Sequence, residues 1–353
     1  MKQWELTPST SRATDKFYRK LNSKAKSLRK KQLEHLNNKD YTKGYNRYTN
    51  TMKIVAPEAI CIYKKKYCDE TLTYISDIRS AFTDGKNIHL TFPVTNYVSA
   101  AAMLLLLSTV DQLNRTVKVK ITATRAEDDK TECIFNQTGF TKILGKNAIN
   151  TNTYKDVDYW QQTTAKDARP ENAAEIFEVL QDNILINEKL LFRGFIESIS
   201  NSVEHGYKHL NSSHLSRHSR WWAFGGINNG VLTLLTCDLG AGIPLTLPRV
   251  IDEKWLARTL KFCGFETNQD AELIQAATVL RETATKEEHR GKGLNDMKKI
   301  VEQTPGSTLI IHSNRGSYLY HVNKNGETVS KLKGYKSSIN GTIIEWQMPL
   351  GVK

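Results

Sequence analysis

The sequence predicts a mixed α/β (α+β) protein, and three observations carry that reading. Short strand-like apolar runs alternate with amphipathic helical stretches in the first half. Asn-Gly turns separate strand-like runs in the second half, as in antiparallel hairpins. The chain has 353 residues, enough for two cores, and its 39% hydrophobic and 25% charged content is ordinary for a globular protein. The most apolar run, AAAMLLLL at 100–107, falls well short of the roughly 20 residues needed to cross a bilayer. The N-terminal MKQWELTPST lacks the apolar core of a signal peptide. The five cysteines form no CxxC pair, so free thiols in a reducing cytoplasm and no membrane association are expected.

Residues 1–55 read as a basic helical arm. Residues 1–66 hold 17 lysines and arginines against five acids, which accounts for nearly all of the net charge of +13. A helix is predicted from Asp15 to about Asn37, with Phe17, Leu21, Leu28 and Leu36 forming a thin apolar stripe. Tyr41, Tyr45 and Tyr48 then interleave with Lys43 and Arg47, a pattern that can hold phosphates and stack on bases. Charge alone is not specific, and the plainer reading is a solvated helix packed on its own protein or on an acidic partner.

Residues 56–146 read as a small α/β module: strand AICIYKKK, helix DETLTYISDIRSAF, strand NIHLTF, a turn through Pro93–Asn96, helix SAAAMLLLLSTVDQL, strand VKVKITATRA, and a short helix near 139–144. Ser99 stands at the N-cap of the second helix. Residues 147–170 are polar and irregular and read as a linker, with Pro170 at the first turn of the next helix.

The remainder, 171–353, begins with a lead-in helix, ENAAEIFEVLQDNI, and a second helix over about 187–207. At roughly 100° per residue, Glu197, Asn201 and His205 share one stripe of that helix, with Gly194 beside them. Phe192, Phe195, Ile196, Ile199 and Val203 fall opposite. A carboxylate one turn before a carboxamide can activate water with the first group and hold a divalent cation with the second when a phosphate lies between them. The polar stretch after His205 carries His209, His214 and His218, and the i,i+4 pairs His205/His209 and His214/His218 could bind zinc but have no acid or cysteine at a supporting spacing. A hairpin turning at Asn228–Asn229–Gly230 leads into the buried strand VLTLLTC and then Asp238, Gly240 and Gly242. Nearly fifty residues later, HRGKGLNDMKKIV places Gly291 and Gly293 before an amphipathic helix bearing Leu294, Met297, Ile300 and Val301. A hairpin around Asn325–Gly326 follows, and Gly341 and Thr342 open the closing strand GTIIEWQMPL.

In this order, the Glu197–Asn201 helix, the two glycine segments and the final Gly-Thr strand resemble the N box, glycine boxes and terminal strand of the GHKL (Bergerat-fold) ATPases. Among these, the NxxxHGY at 201–207 is most similar to the anti-sigma-factor serine kinases. The resemblance implies a Bergerat-fold α/β sandwich with a mixed sheet over 171–353 and an ATP lid at about 243–290. It implies ATP and Mg as cofactors, Glu197 as general base and Asn201 as magnesium ligand. Asp238 and Thr342 would contact adenine, and Gly240 and Gly242 would admit the base through positive φ and open space. Arg290, Gly291, Lys292, Gly293 and Leu294 would meet the phosphates at a helix start. Thr283 and Thr285 stand near the lid's end, within reach of a terminal phosphate. The order of elements in 56–146 is similar to a STAS domain, although NYVSAAAM lacks that family's Asp-Ser-Ser-Gly turn.

The expected activity is therefore ATP hydrolysis in a nucleotide-dependent switch that acts on a protein partner through lid closure. The alternatives are a protein serine/threonine kinase, with the Ser99 region as one acceptor, and a nucleic-acid-binding regulator that uses ATP as a ligand. RGKGLND lacks the P-loop pattern GxxxxGK[ST], and DLGAGIP lacks the third glycine of a dinucleotide fingerprint.

Overall fold

The computed structural model describes residues 44–46, 49–116, 119–147, 154, 161–169, 171–181, 188–207, 219–283 and 292–350. The basic helix expected at 15–37, Tyr41, Tyr48, Pro170, the histidines at 209, 214 and 218, Thr285, Arg290 and Gly291 lie outside these residues. The fold is mixed α/β, and no described helix is long and apolar enough to cross a membrane.

The first half forms a four-stranded sheet ordered β1 (Tyr45–Asn46), β2 (Thr51–Val55), β4 (Asn87–Phe92), β6 (Ile121–Ala126). The pairs β2/β4 and β4/β6 are parallel. Parallel neighbours need crossovers, and α1 (Lys65–Thr83) and α2 (Ala100–Asn114) supply them. A small parallel pair, β3 (Ala59–Ile60) with β5 (Tyr97–Val98), sits beside them. The run AICIYKKK thus contributes only two strand residues, because α1 begins at Lys65. The sheet also starts earlier than expected, since β1 and β2 fall within the stretch read as the arm. Two helices follow β6: α3 (Asp129–Gln137), which the sequence reading missed, and α4 (Phe140–Ile143). Asp128 caps α3 by accepting from Thr131 N at 2.8 Å. Ser99 occupies the N-cap position of α2 without making a side-chain cap bond, and it is fully buried.

The second half builds a seven-stranded sheet. Its strands are β7 (Gln161–Ala165), β8 (Trp221–Asn228), β9 (Val231–Asp238), β10 (Thr308–Ser313), β11 (Gly316–Val322), β12 (Thr328–Gly334) and β13 (Thr342–Pro349), in the order β12-β11-β10-β13-β9-β8-β7. Every neighbouring pair is antiparallel, so the expected mixed sheet is not observed among the described residues. Short turns make β8/β9, β10/β11 and β11/β12 antiparallel, because a tight turn can only reverse the chain, whereas β13 pairs with β10 and β9, and β7 with β8, across longer separations. At the first of these, Asn229 (φ 49°) and Gly230 (φ 70°) both take the left-handed conformation of a type I′ hairpin. β7 lies in the stretch read as a linker and forms the sheet edge beside β8.

Helices α5 (Glu171–Gln181), α6 (Glu188–Asn201) and α10 (Lys292–Glu302) cover one face of this sheet. Leu191, Phe195 and Ile199 of α6 meet Met297, Ile300 and Val301 of α10 over Trp221, Leu234 and Trp346. Between the two glycine segments lie α7 (Ile243–Val250), α8 (Glu253–Phe262) and α9 (Asp270–Thr283), with a core of their own built on Leu247, Leu256, Leu260, Leu273 and Leu280.

The opposite face of the large sheet is covered by the N-terminal module. Helix α2 is buried from Ala101 to Leu113, all the way round, which fits a sequence apolar on every side. It packs against β8, β9 and β13. The same core cluster joins Ile88, Leu90 and Ile121 of the small sheet to Trp222, Phe224, Leu235 and Ile343 of the large one. Polar groups are sealed into this seam. Tyr63 donates to Glu345 Oε2 at 2.5 Å, and Gln347 Nε2 donates to Glu345 Oε1 at 2.7 Å. Trp222 Nε1 donates to Asp111 Oδ2 at 2.9 Å, and Lys333 Nζ donates to the carbonyls of Ile62 and Tyr63 at 3.1 and 3.0 Å. His312 Nδ1 and Tyr335 OH lie 2.5 Å apart.

Burial pushes the Glu345 carboxyl up to about 7 and His312 down to about 3. A carboxyl held protonated in the fold contributes fully below its unfolded value near 4.5, and the contribution is lost as pH rises towards 7. Glu345→Gln removes that loss. Its stability advantage over the parent is expected to grow by about 2 kcal/mol between about pH 5 and pH 8 in denaturant titrations. A difference that stays flat with pH refutes the assignment.

Candidate functional site

Glu197 and Asn201 occupy the last turn of α6, one turn apart and half-buried. The start of α10 crosses them at Gly293. A Cβ at Gly293 would stand 2.8 Å from Asn201 Nδ2 and 3.2 Å from Glu197 Oε2. The glycine therefore keeps the amide-bearing N-terminus of α10 in direct reach of both side chains. Next to it, Leu294 packs into both the main core and the core of α7–α9, tying the two together.

Asp238 ends β9 and is buried. Its Oδ1 accepts from Gly240 N at 2.8 Å, its Oδ2 accepts from Ser202 Oγ at 3.3 Å, and the Thr342 N–H also donates to it. Desolvation outweighs these bonds and raises the carboxyl to about 6. Thr342 is the direct cross-strand partner of Asp238 in the β13/β9 register. Its Oγ1 lies 3.0 Å from Ser313 Oγ, and Ser313 Oγ also accepts from Ile243 N at 2.9 Å.

A π turn, Ser202–Gly206, joins the two groups of residues. It extends α6 beyond Asn201 and turns Ser202 and Gly206 towards Asp238: a Cβ at Gly206 would sit 3.3 Å from Asp238 Oδ1, and the Gly206 carbonyl accepts from Ala241 N at 2.6 Å. Single π turns of this kind occur often at functional sites. The wider turn corrects the predicted continuous helix. Val203 is exposed, not part of the packed face, and Glu204 and His205 face solvent. Gly194, one turn before Glu197, also faces α10, and a Cβ there would meet Ile300 Cδ1 at 2.2 Å.

The glycines divide by role. Gly242 has φ 80° and a virtual Cβ 2.6 Å from Asn314 Nδ2, whereas Gly240 does not have positive φ. Gly240 is required instead by close approach, since its Cβ would stand 2.2 Å from the Gly206 carbonyl oxygen. Asn314, at the β10–β11 turn with φ 47°, donates from Nδ2 to Ala241 O at 2.8 Å. Ser202, Ser313 and Asn314 were not singled out in the sequence. Nothing in their spacing distinguishes them, although Ser202 adjoins Asn201.

Thus Glu197, Asn201, Gly293, Asp238, Gly240, Gly242 and Thr342 gather around the end of α6. The side chains of Lys292 and Thr283 lie outside the described residues, as do all of Arg290 and Gly291. A separate concavity of about 520 Å³ between α3, α4 and β7, lined by Asn136, Lys142, Lys146 and Gln162 among others, includes none of the gathered residues. No three His, Cys, Asp or Glu side chains among the described residues gather with metal-ligand geometry.

Compared with known proteins, the chain matches no family model and no curated protein.

The two kinds of close approach make different demands. At Gly194 the obstacle is the tip of a flexible isoleucine, so Gly194→Ala is expected to cost about 1–3 kcal/mol in urea unfolding. At Gly240 the obstacle is backbone, and Gly240→Ala is expected to cost more than Gly194→Ala. Equal losses would show that the Gly206–Gly240 contact yields easily.

Proposed function

We propose that this chain binds Mg-ATP around the end of α6 and works as a slow ATPase switch of the GHKL type, closing α7–α9 over nucleotide to alter contact with a protein partner. One observation carries this reading: the four sequence segments at 197–201, 238–242, 293 and 342 converge on one helix end with acceptor, amide and carboxamide groups complementary to the two ends of ATP.

In this reading Asp238 accepts from the adenine amino group, beside the Thr342 hydroxyl. The start of α10, bare at Gly293, directs backbone N–H groups and the positive end of its dipole at the phosphates. Arg290, Gly291 and Lys292 belong to the same segment. Magnesium, held by Asn201, would neutralise phosphate charge. Glu197, one turn back, takes the proton of the attacking water as general base. Helices α7–α9 share a core of their own, α9 also packing on β11 through Ile274, and Leu294 links that core to the phosphate end.

Asn201→Ala is expected to weaken magnesium-dependent ATP binding at least about tenfold, as for a lost ligand to a charged group. Glu197→Ala is expected to retain binding and lose roughly a hundredfold or more in turnover. Isothermal titration and phosphate release measure the two, and parent-like hydrolysis by both variants refutes the assignment. The same site could transfer phosphoryl to a protein hydroxyl instead. Label from [γ-³²P]ATP appearing in protein, and not only as free phosphate, identifies that chemistry.

The charge concentrated in residues 1–66 favours a reading for the arm alone, contact with nucleic acid. Deleting residues 1–43 is expected to abolish a salt-sensitive affinity for single-stranded oligonucleotides while sparing ATP binding.

A further inference from the structure

The N-terminal module does more than cover a sheet face. Arg79, on α1, has both terminal guanidinium nitrogens engaged: Nη1 reaches across the seam and donates to the Ile339 carbonyl at 2.9 Å, and Nη2 donates to Thr109 Oγ1 of α2 at 3.1 Å. No carboxylate pairs with Arg79 among the described residues. Its desolvation is large enough to bring the guanidinium down to about 10. Half-burying a cation to satisfy one carbonyl and one hydroxyl is costly, and what it secures is the position of that carbonyl.

Ile339 is fully buried in the seam and lies in the loop that delivers Gly341 and Thr342 to Asp238. The loop is tightly wound. Asn340 has φ 51° and Gly341 φ 146°, and a Cβ at Gly341 would stand 2.1 Å from the Asp238 carbonyl oxygen. Ile339 N donates to Asn314 O at 3.0 Å, and Asn314 N donates to Gly341 O at 3.2 Å. The side chain of Asn314 then reaches the Ala241 carbonyl at 2.8 Å, in the glycine turn after Asp238. A continuous chain of hydrogen bonds thus runs from α1 through residues 339–341 and Asn314 to the turn at 238–242.

We propose that Arg79 is a positioning residue for the adenine end of the nucleotide site: by clamping the Ile339 carbonyl it sets the placement of Thr342 and the 238–242 turn. This rests on the nucleotide reading above. It makes the N-terminal module a component of that site although it supplies none of the residues gathered at the end of α6. Shifting the module against the large sheet then alters adenine affinity, while Glu197, Asn201 and the start of α10, on the opposite face, stay in place.

Arg79→Met keeps the aliphatic stem and removes the donors. In nucleotide-free, full-length protein, amide exchange is expected to accelerate at 335–342 and 238–242 while β10–β11 keeps parent rates. Adenosine affinity and the KM for ATP are expected to weaken together by roughly tenfold with kcat within about twofold of the parent, because the clamp acts on the placement of the adenine end alone. Arg79→Lys, which keeps a charged donor, is expected to recover most of both. If the methionine variant does not fold, the lysine variant carries the test, with smaller changes in the same peptides. Unchanged exchange at 335–342, or a fall in kcat with KM unaltered, overturns the proposal. A parent that ignores adenosine and ATP refutes the nucleotide reading and with it the site role of Arg79. Exchange at 335–342 separately decides the clamp.

Discussion

Helix α2 is the constraint on which the rest of the molecule depends. Thirteen consecutive residues from Ala101 to Leu113 are buried, and only two packed layers can remove both sides of a helix from water at once. The large sheet supplies one layer through Trp222, Phe224, Leu235 and Ile343, and the N-terminal module supplies the other. The two halves share this one apolar core, so neither buries its face without the other. The helix therefore fixes the orientation of the strands that end in Asp238 and begin at Thr342.

Across the large sheet, α6 and α10 are set by a different device. Their closeness comes from small residues: Gly194 lets Ile300 in, and Gly293 brings the start of α10 against Asn201 and Glu197. Between the two faces, Asp238 stands at the sheet end, where its carboxyl receives the π turn from one side and β13 from the other. The polar gathering at the end of α6 is thus the meeting point of two independently packed faces.

Much of this was legible in the sequence because it depends on local chemistry. Asn229–Gly230 can hardly be other than a hairpin turn, the helices α1, α5, α6 and α10 follow from their apolar spacing, and α2 follows from a long apolar run. Glu197, Asn201, Asp238, Gly240, Gly242, Gly293 and Thr342 stood out as motif positions, and the fold brings these seven around one helix end. What was not legible depends on contacts distant in sequence. The antiparallel order of the sheet, the edge strand β7 within a polar stretch, and the early start of the small sheet at β1 and β2 are settled by partners far along the chain. The π turn is another case: a regular 3.6-residue pattern extends Asn201 into Val203, but tethering Ser202 and Gly206 to Asp238 widens the winding and puts Val203 in water. The need for glycine at 240 likewise comes from a carbonyl 34 residues upstream, not from its own dihedral angle.

The shared seam also governs how the gene can be cut. Composition suggests a clean excision of residues 171–353, yet that fragment would lose its edge strand β7 and lay bare Trp222, Phe224, Leu235, Ile339 and Ile343, while leaving the Glu345 carboxyl without Tyr63. The reciprocal fragment would expose α2 along one flank. Neither half is a portable unit, and shuffling either onto another protein requires the recipient to bring its own substitute for the missing layer.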